Sequence, residues 1–223
     1  MEKIKVLILY YSLGGGTGKL AVEVARGAEE VEGTEVEIKR IPEIIPEEAF
    51  EKDQKLKEIR DRSAEFQNQF PIATVDDLIQ AHGVAFGTPV HFGSFASQVK
   101  QFIDQLSPAW VKGQLVNKPA SVFCVSGSLH GGEELTLMSL IIPLLNLGML
   151  PVGIPYPIQG EGPEFDGGSP YGAIYINKGK GLSEDDKKVA QILGHRLAVM
   201  SHLLNCDCEK CSNCHSLVKK PHY

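Results

Sequence analysis

The sequence predicts an α/β fold: a doubly wound, five-stranded parallel sheet with helices on both faces. Three observations carry this expectation. Short β-rich apolar runs alternate with longer stretches of helical periodicity. Small-residue loops follow the first, third and fourth runs. A chain of 223 residues with 43% hydrophobic residues can build one sizeable core.

The elements follow in order. Residues 5–10 (KVLILY) form the first strand, and residues 14–18 hold four of its following glycines and a threonine. Residues 20–31 repeat apolar side chains at helical spacing through Leu20, Val24, Ala28 and Val31. Residues 35–41 alternate as a second strand, and residues 83–87 make a short third. Residues 97–106 read as a helix with Val99, Phe102, Ile103 and Leu106 on one face. Residues 120–125 are the fourth strand and hold Cys124, read as a core residue. Residues 133–147 are a mostly apolar helix in which Pro143 invites a kink. Residues 151–154 are the expected fifth strand. Residues 183–204 form a long amphipathic helix, with Ser183 ahead of three acidic residues suited to a first turn. Two stretches stand outside the pattern. Residues 42–71 are too long for an unstructured loop and hold a charged, helix-prone segment at 47–68. Residues 158–173 are rich in Gly and Pro and read as a structured loop near a site.

Charge and composition exclude several classes of partner. The formal net charge is −6, which disfavours a nucleic-acid binder, since that needs a basic face against phosphates. No apolar run approaches the roughly 20 residues that span a bilayer, and no cleavable leader is evident. A cytoplasmic protein without nucleic-acid or membrane partners is expected.

The loop after the first strand, Ser12, Leu13, Gly14, Gly15, Gly16 and Thr17, sits between a strand and a helix. Glycines allow a ligand close to the backbone, and a helix N-terminus offers free amides to a phosphate. A P-loop fails, because the anchor positions 13 and 20 are both Leu. A dinucleotide fingerprint fails as well, because its third glycine falls on Lys19. A flavodoxin-like loop, holding the FMN phosphate with hydroxyls and amides, survives. In such sheets ligands bind at the carboxyl ends of the strands. The third strand leads into Pro89, Val90, His91 and Phe92. The fourth leads into Ser126, Gly127, Ser128, Leu129, His130 and Gly131. The first group offers one wall for a flat isoalloxazine, and the second offers main-chain donors to its pyrimidine edge.

These residues carry a resemblance. Val6 to Ser12, Gly87-Thr88-Pro89 ahead of Phe92-Gly93, Asp104-Gln105 ahead of Trp110, Gly148-Met149, and Gly167 to Ala173 together make the chain similar to the WrbA family. The likeness covers roughly residues 4–204. It implies a flavodoxin-like FMN-binding domain over residues 1–204 and an FMN-dependent NAD(P)H:quinone oxidoreductase that passes a hydride through the flavin to a quinone. It implies FMN contacts from the three loops above, Trp110 beside the substrate, and a homotetramer or dimer. Departures are visible too. Gly14 stands where the family often has a tyrosine, Leu147 where it has a histidine, and His91 where it often has an arginine. The loop around Leu129 and His130 is about one residue longer.

Residues 205–223 form a Cys-rich tail outside the resemblance. Cys206, Cys208, Cys211 and Cys214 fall within nine residues. Four close thiolates suit zinc, and their spacing also matches part of an iron–sulfur run. Either metal is expected as an alternative to an unmetallated tail. With iron, the tail would relay single electrons, and a flavodoxin-like electron-transfer protein becomes the alternative function. Hydride chemistry belongs to the flavin, so no catalytic acid or base is named.

Overall fold

The structure, a computed structural model, describes residues 3–159 and 168–205. Four strands build a parallel core: β1 (Ile4–Tyr10), β2 (Thr34–Arg40), β3 (Gly83–His91) and β5 (Pro119–Ser126). Their order across the sheet is β2-β1-β3-β5. A two-residue strand β4 (Ser94–Phe95) folds back antiparallel on the end of β3.

The fifth position differs from the expected strand at residues 151–154. It is filled by two short strands, β6 (Leu150–Pro151) and β7 (Ala173–Ile176), both parallel to β5. Leu150 and Pro151 pair with Pro119 and Ala120 at the start of β5, and Ala173 to Ile176 pair with Phe123 to Ser126 at its end. One further rung, Val152 N to the Ala120 carbonyl at 2.7 Å, precedes the departure of the chain from the sheet. Two glycines make the exit and re-entry possible. A Cβ on Gly153 would lie 2.1 Å from the Pro170 carbonyl, and one on Gly172 would lie 2.0 Å from the Val122 carbonyl. The sheet edge is thus interrupted by an excursion that begins and ends on β5.

Helices cover both faces. Helix α1 (Gly16–Glu29) and helix α9 (Glu184–Leu204) pack on one face over Val6, Ile8, Tyr10 and Phe123. Their backbones meet closely: a Cβ on Gly27 would lie 1.8 Å from the Gln191 carbonyl, and one on Gly194 would lie 1.8 Å from that of Val24. Ser183 caps α9 in a capping box with Asp186, as its sequence position suggested. On the other face, α4 (Val75–Gln80), α5 (Ser97–Asp104), α6 (Ser107–Val111) and α7 (Glu133–Asn146) cover Leu7, Leu9, Phe86 and Val122. Helix α7 runs on past Pro143 to Asn146. Buried Lys118 donates from Nζ to the carbonyls of Leu78, Ile79 and Ala81, closing the C-terminal end of α4. A short α8 (Tyr156–Gln159) follows β6.

The charged segment at 47–68 is two helices, α2 (Glu47–Lys52) and α3 (Gln54–Gln67). Asp53 breaks them and caps the second, accepting from Lys55 N at 3.0 Å and Leu56 N at 3.1 Å. Phe50 is buried beneath the Arg60 guanidinium, 4.4 Å from the ring centroid. Phe66 meets Phe70 edge-on at 5.5 Å, and Phe70 meets Tyr10 at 6.1 Å. The excursion is therefore anchored to the end of β1.

The α1–α9 crossing generates a stability prediction. Gly194→Ala forces the two helices apart and lowers unfolding free energy by about 2–3 kcal/mol, as overpacked sites do. Urea titration reads this as a lower midpoint at unchanged slope; an unaltered midpoint would contradict the close crossing.

Candidate functional site

After β1 the chain passes to one face of the sheet as α1, and after β3 and β5 it passes to the other as α5 and α7. The loops therefore diverge between β1 and β3, which opens a crevice at their carboxyl ends. Residues 12–17 line one side. Gly15, at φ 80°, is the N-cap of α1, and no side chain caps the helix. Its first-turn amides thus lack intrahelical acceptors. Thr17 is buried, whereas Ser12 and Leu13 are half-buried. Behind the loop stands α3. Gly14 and Gly15 face it so closely that added Cβ atoms would lie 3.2 Å from Ile59 and 3.1 Å from Ser63. A tyrosine at position 14 would displace Ile59, so the departure from the WrbA pattern matches the presence of α3.

The second side is a β-hairpin that the sequence reading stopped short of. Strand β3 continues beyond Gly87 to His91, and the turn to β4 places Phe92 at φ 53° and Gly93 at φ 74°. Thr88 Oγ1 accepts from Ala96 N at 3.0 Å and fixes the hairpin's base. Val90 packs towards the core, and Phe92 projects fully from the surface. Partial burial pushes the His91 pKa down, against the pull of the Glu43 carboxylate.

The third side follows β5. Here the structure supplies a residue that sequence reasoning missed. Glu133, 5% exposed, turns back from the start of α7 and holds the loop. Its Oε1 lies 2.5 Å from Ser126 Oγ and accepts from Gly131 N at 3.1 Å. Burial alone would raise its pKa, but the hydrogen bonds from Ser126 and the loop amides outweigh it and hold the carboxyl below its ordinary range. The Ser126 hydroxyl, which also lies 2.9 Å from the Ser128 carbonyl, and the Gly131 amide are therefore engaged within the loop itself. Gly127, Ser128, Leu129 and His130 remain to face a ligand, with His130 at φ 61°. An added Cβ at Gly127 meets nothing within 4 Å, so this stretch borders open space. A Cβ on Gly132 would lie 2.9 Å from the Gly93 Cα, so the second and third loops touch through two glycines. Glu133 carries a legible signal after the fact: an acid at the first position of a helix that follows two glycines.

A further cluster ties the neighbouring elements. The Tyr11 hydroxyl donates to Glu43 Oε2 at 2.6 Å, and Gln98 Nε2 donates to the Tyr11 oxygen at 2.9 Å and to Glu43 Oε1 at 2.5 Å. Ile44 N and Ile45 N add bonds at 2.8 and 3.0 Å. Burial and the Glu43 carboxylate push the Tyr11 hydroxyl well up. The Glu43 carboxyl is opposed by burial yet held low by its donors. A cavity of about 200 Å³ beside it is lined by Ser12, Arg40, Arg60 and Asn68. These residues are far apart in sequence, and no local pattern announces them.

Trp110 is not brought to the three loops of its own chain. It stands half exposed on α6 and lines a separate groove of about 450 Å³ with Phe95, Ile103, Ile142 and Leu147. Trp110, which the resemblance sets beside the substrate, thus meets in that groove Leu147, which stands where the family has a histidine. Cys124 is buried, with Sγ 3.7 Å from the Glu133 carbonyl, in keeping with a core role. Cys206, Cys208, Cys211 and Cys214 lie outside the described residues. Among the described residues no group of three or more His, Cys, Asp or Glu is placed to hold a metal ion.

Comparison with known proteins agrees with this geometry. The family model described as NADPH-dependent FMN reductase matches residues 4–163. A protein of Geotalea uraniireducens named NAD(P)H dehydrogenase (quinone) is 42% identical over 200 residues, covering 87% of this chain and 96% of its own. One of the same name from Geobacter sulfurreducens is 40% identical, covering 91% and 100%. Among solved structures, a flavodoxin, WrbA-like protein from Agrobacterium tumefaciens superposes with a TM-score of 0.60 at 22% identity, covering 90% and 98%. A flavodoxin from the domain Archaea gives 0.55 at 15% identity, covering 89% and 99%. These likenesses bear out the flavodoxin-like fold.

The Glu133 clasp generates a pH prediction. A carboxyl held low in the folded state contributes stability above its unfolded pKa, and that contribution is lost as pH falls through the folded value. Glu133→Gln should therefore cost about 1–3 kcal/mol at pH 7 and much less at pH 3. Denaturant titrations at the two pH values check this; an equal cost at both would contradict an ionised clasp.

Proposed function

Because the chain belongs to the NADPH-dependent FMN reductase family, we propose that it is an FMN-dependent NAD(P)H:quinone oxidoreductase. The carrying observation is the pair of full-length relatives at 42% and 40% identity, both named NAD(P)H dehydrogenase (quinone). The reaction converts NAD(P)H, a proton and a quinone into NAD(P)⁺ and a hydroquinone.

The residues present fit FMN. The crevice is rimmed by uncapped amides on α1 and by open main chain at Gly127, and its second and third loops approach each other at Gly93 and Gly132. The amides of Gly14, Gly15, Gly16 and Thr17 would hold the phosphate, aided by the dipole of a 14-residue helix. Pro89, Val90, His91 and Phe92 would flank the ring on one side. Gly127, Ser128, Leu129 and His130 would donate to its pyrimidine edge. FMN, when bound, supplies the chemistry, accepting a hydride from the nicotinamide and yielding it to the quinone. The chain's part is to bind, orient and shield. Glu133 keeps the third loop rigid. Thr88 fixes the hairpin that carries Phe92, and the Phe92 ring is free to cover a planar ligand and exclude water.

We further propose a homotetramer in the cytoplasm. Helix α7 carries an exposed apolar stripe, Leu135, Met138, Ile142 and Leu145, beside the Trp110 groove. A second copy covering this face would bring Trp110 into a composite pocket. No helix of the described residues is long and apolar enough to cross a membrane. The Cys-rich tail is proposed as a zinc or iron–sulfur site accessory to the flavin.

Three outcomes check these readings. Added FMN should raise unfolding free energy by about 2.7 kcal/mol at a hundredfold excess over its Kd, seen as a higher melting temperature. Steady-state turnover of NADH or NADPH with benzoquinone should depend on that FMN; binding without turnover would instead favour an electron carrier. Ile142→Glu should convert the assembly to smaller species in sedimentation velocity, whereas an unchanged sedimentation coefficient would remove α7 from the interface.

A further inference from the structure

The excursion between β2 and β3 reaches the cofactor loop from behind, through side chains that the reaction does not use. Ser63 and Gln67 are 7% and 5% exposed on the face of α3 turned towards the loop. The Leu13 carbonyl accepts from Ser63 Oγ at 2.7 Å and from Gln67 Nε2 at 3.0 Å. Gln67 Nε2 also lies 2.8 Å from Ser63 Oγ, so the two side chains hold each other as well. The Ser63 hydroxyl also lies 3.0 Å from the Arg60 carbonyl of its own helix, but the Leu13 oxygen is the nearer acceptor, and α3 thus brings two donors to this one loop carbonyl.

The consequence follows from peptide geometry. In a trans peptide the carbonyl and the following N–H point in opposite directions. Fixing the Leu13 carbonyl against α3 therefore turns the Gly14 N–H away from α3, towards the face of the loop that α3 leaves uncovered. The uncapped N-terminus of α1 begins two residues later. A flip of this peptide would take the Leu13 carbonyl away from both donors on α3.

We propose that Ser63 and Gln67 are positioning residues for the cofactor's phosphate: they lock the 13–14 peptide so that the Gly14 amide joins those of α1 in a preformed anion cradle. This rests on the FMN reading above. The excursion helix thereby acts as the rear wall of the phosphate site, and its order is coupled to phosphate affinity. A preformed cradle binds more tightly because no backbone must reorganise on binding.

The test compares FMN with riboflavin, which lacks the phosphate and so reports on the ring site alone. Dissociation constants are measured by flavin fluorescence quenching on the full-length protein stripped of flavin. In the Ser63→Ala, Gln67→Met double variant the FMN Kd should rise about tenfold, while the riboflavin Kd moves less than about twofold. Ser63→Thr keeps a hydroxyl and should retain the wild-type ratio of the two constants. An unchanged ratio in the double variant overturns the proposal and leaves the FMN reading standing, whether both affinities hold or fall together. A wild-type protein that binds neither flavin overturns both.

Discussion

At the carboxyl edge of the sheet the fold itself leaves main-chain amides without acceptors. A parallel strand that ends beside a diverging neighbour cannot continue its ladder, and the first turn of the helix that follows has no preceding carbonyls to bond. In this chain that situation arises between β1, which sends its helix to one face, and β3, which sends its helix to the other. Several features around the crevice fix the loops that border it. Glycines at 14, 15 and 16 keep side chains out. Glu133 clasps its own loop after β5, and the Tyr11–Glu43–Gln98 cluster ties the end of β1 to the connection after β2 and the start of α5.

Two kinds of constraint hold the crevice open. Apolar packing fixes the strands: Ile8, Leu9 and Phe86 are fully buried, and the helices above them cannot slide without opening cavities. Polar bonds then fix the loops, which carry little apolar area of their own. Ser63 and Gln67 hold one carbonyl, Thr88 holds the hairpin, and Glu133 holds the third loop. Such bonds contribute about 1 kcal/mol each to stability. Their larger effect is on geometry, since they reduce the conformations from which a ligand must select.

Much of this was legible in the sequence, and the reasons for what was not are physical. The alternation of apolar runs with helical periodicity placed β1, β2, β3 and β5 and the helices α1, α5, α7 and α9, because each must bury one face. The three candidate loops were legible because strand ends are marked by glycine and proline. The split fifth strand was not. Residues 173–176 are too few for a period to show, and residues 151–154 contain β-branched residues that read as strand although the chain leaves the sheet after Val152. Glu43 with Gln98, and Ser63 with Leu13, lie about fifty residues apart, so only the folded chain reveals them. The resemblance sets Trp110 beside a substrate, but its place in a groove with Leu147 depends on how α6 and α7 meet.

Two-dimensional ¹H–¹⁵N correlation spectra of the labelled chain titrated with FMN will show whether uncommitted amides at the sheet edge cradle the cofactor. The amides of residues 14–17, 90–92 and 127–130 should shift strongly and together, with smaller changes elsewhere. Large shifts confined to the groove around Trp110, with those loop amides unmoved, would contradict that cradle.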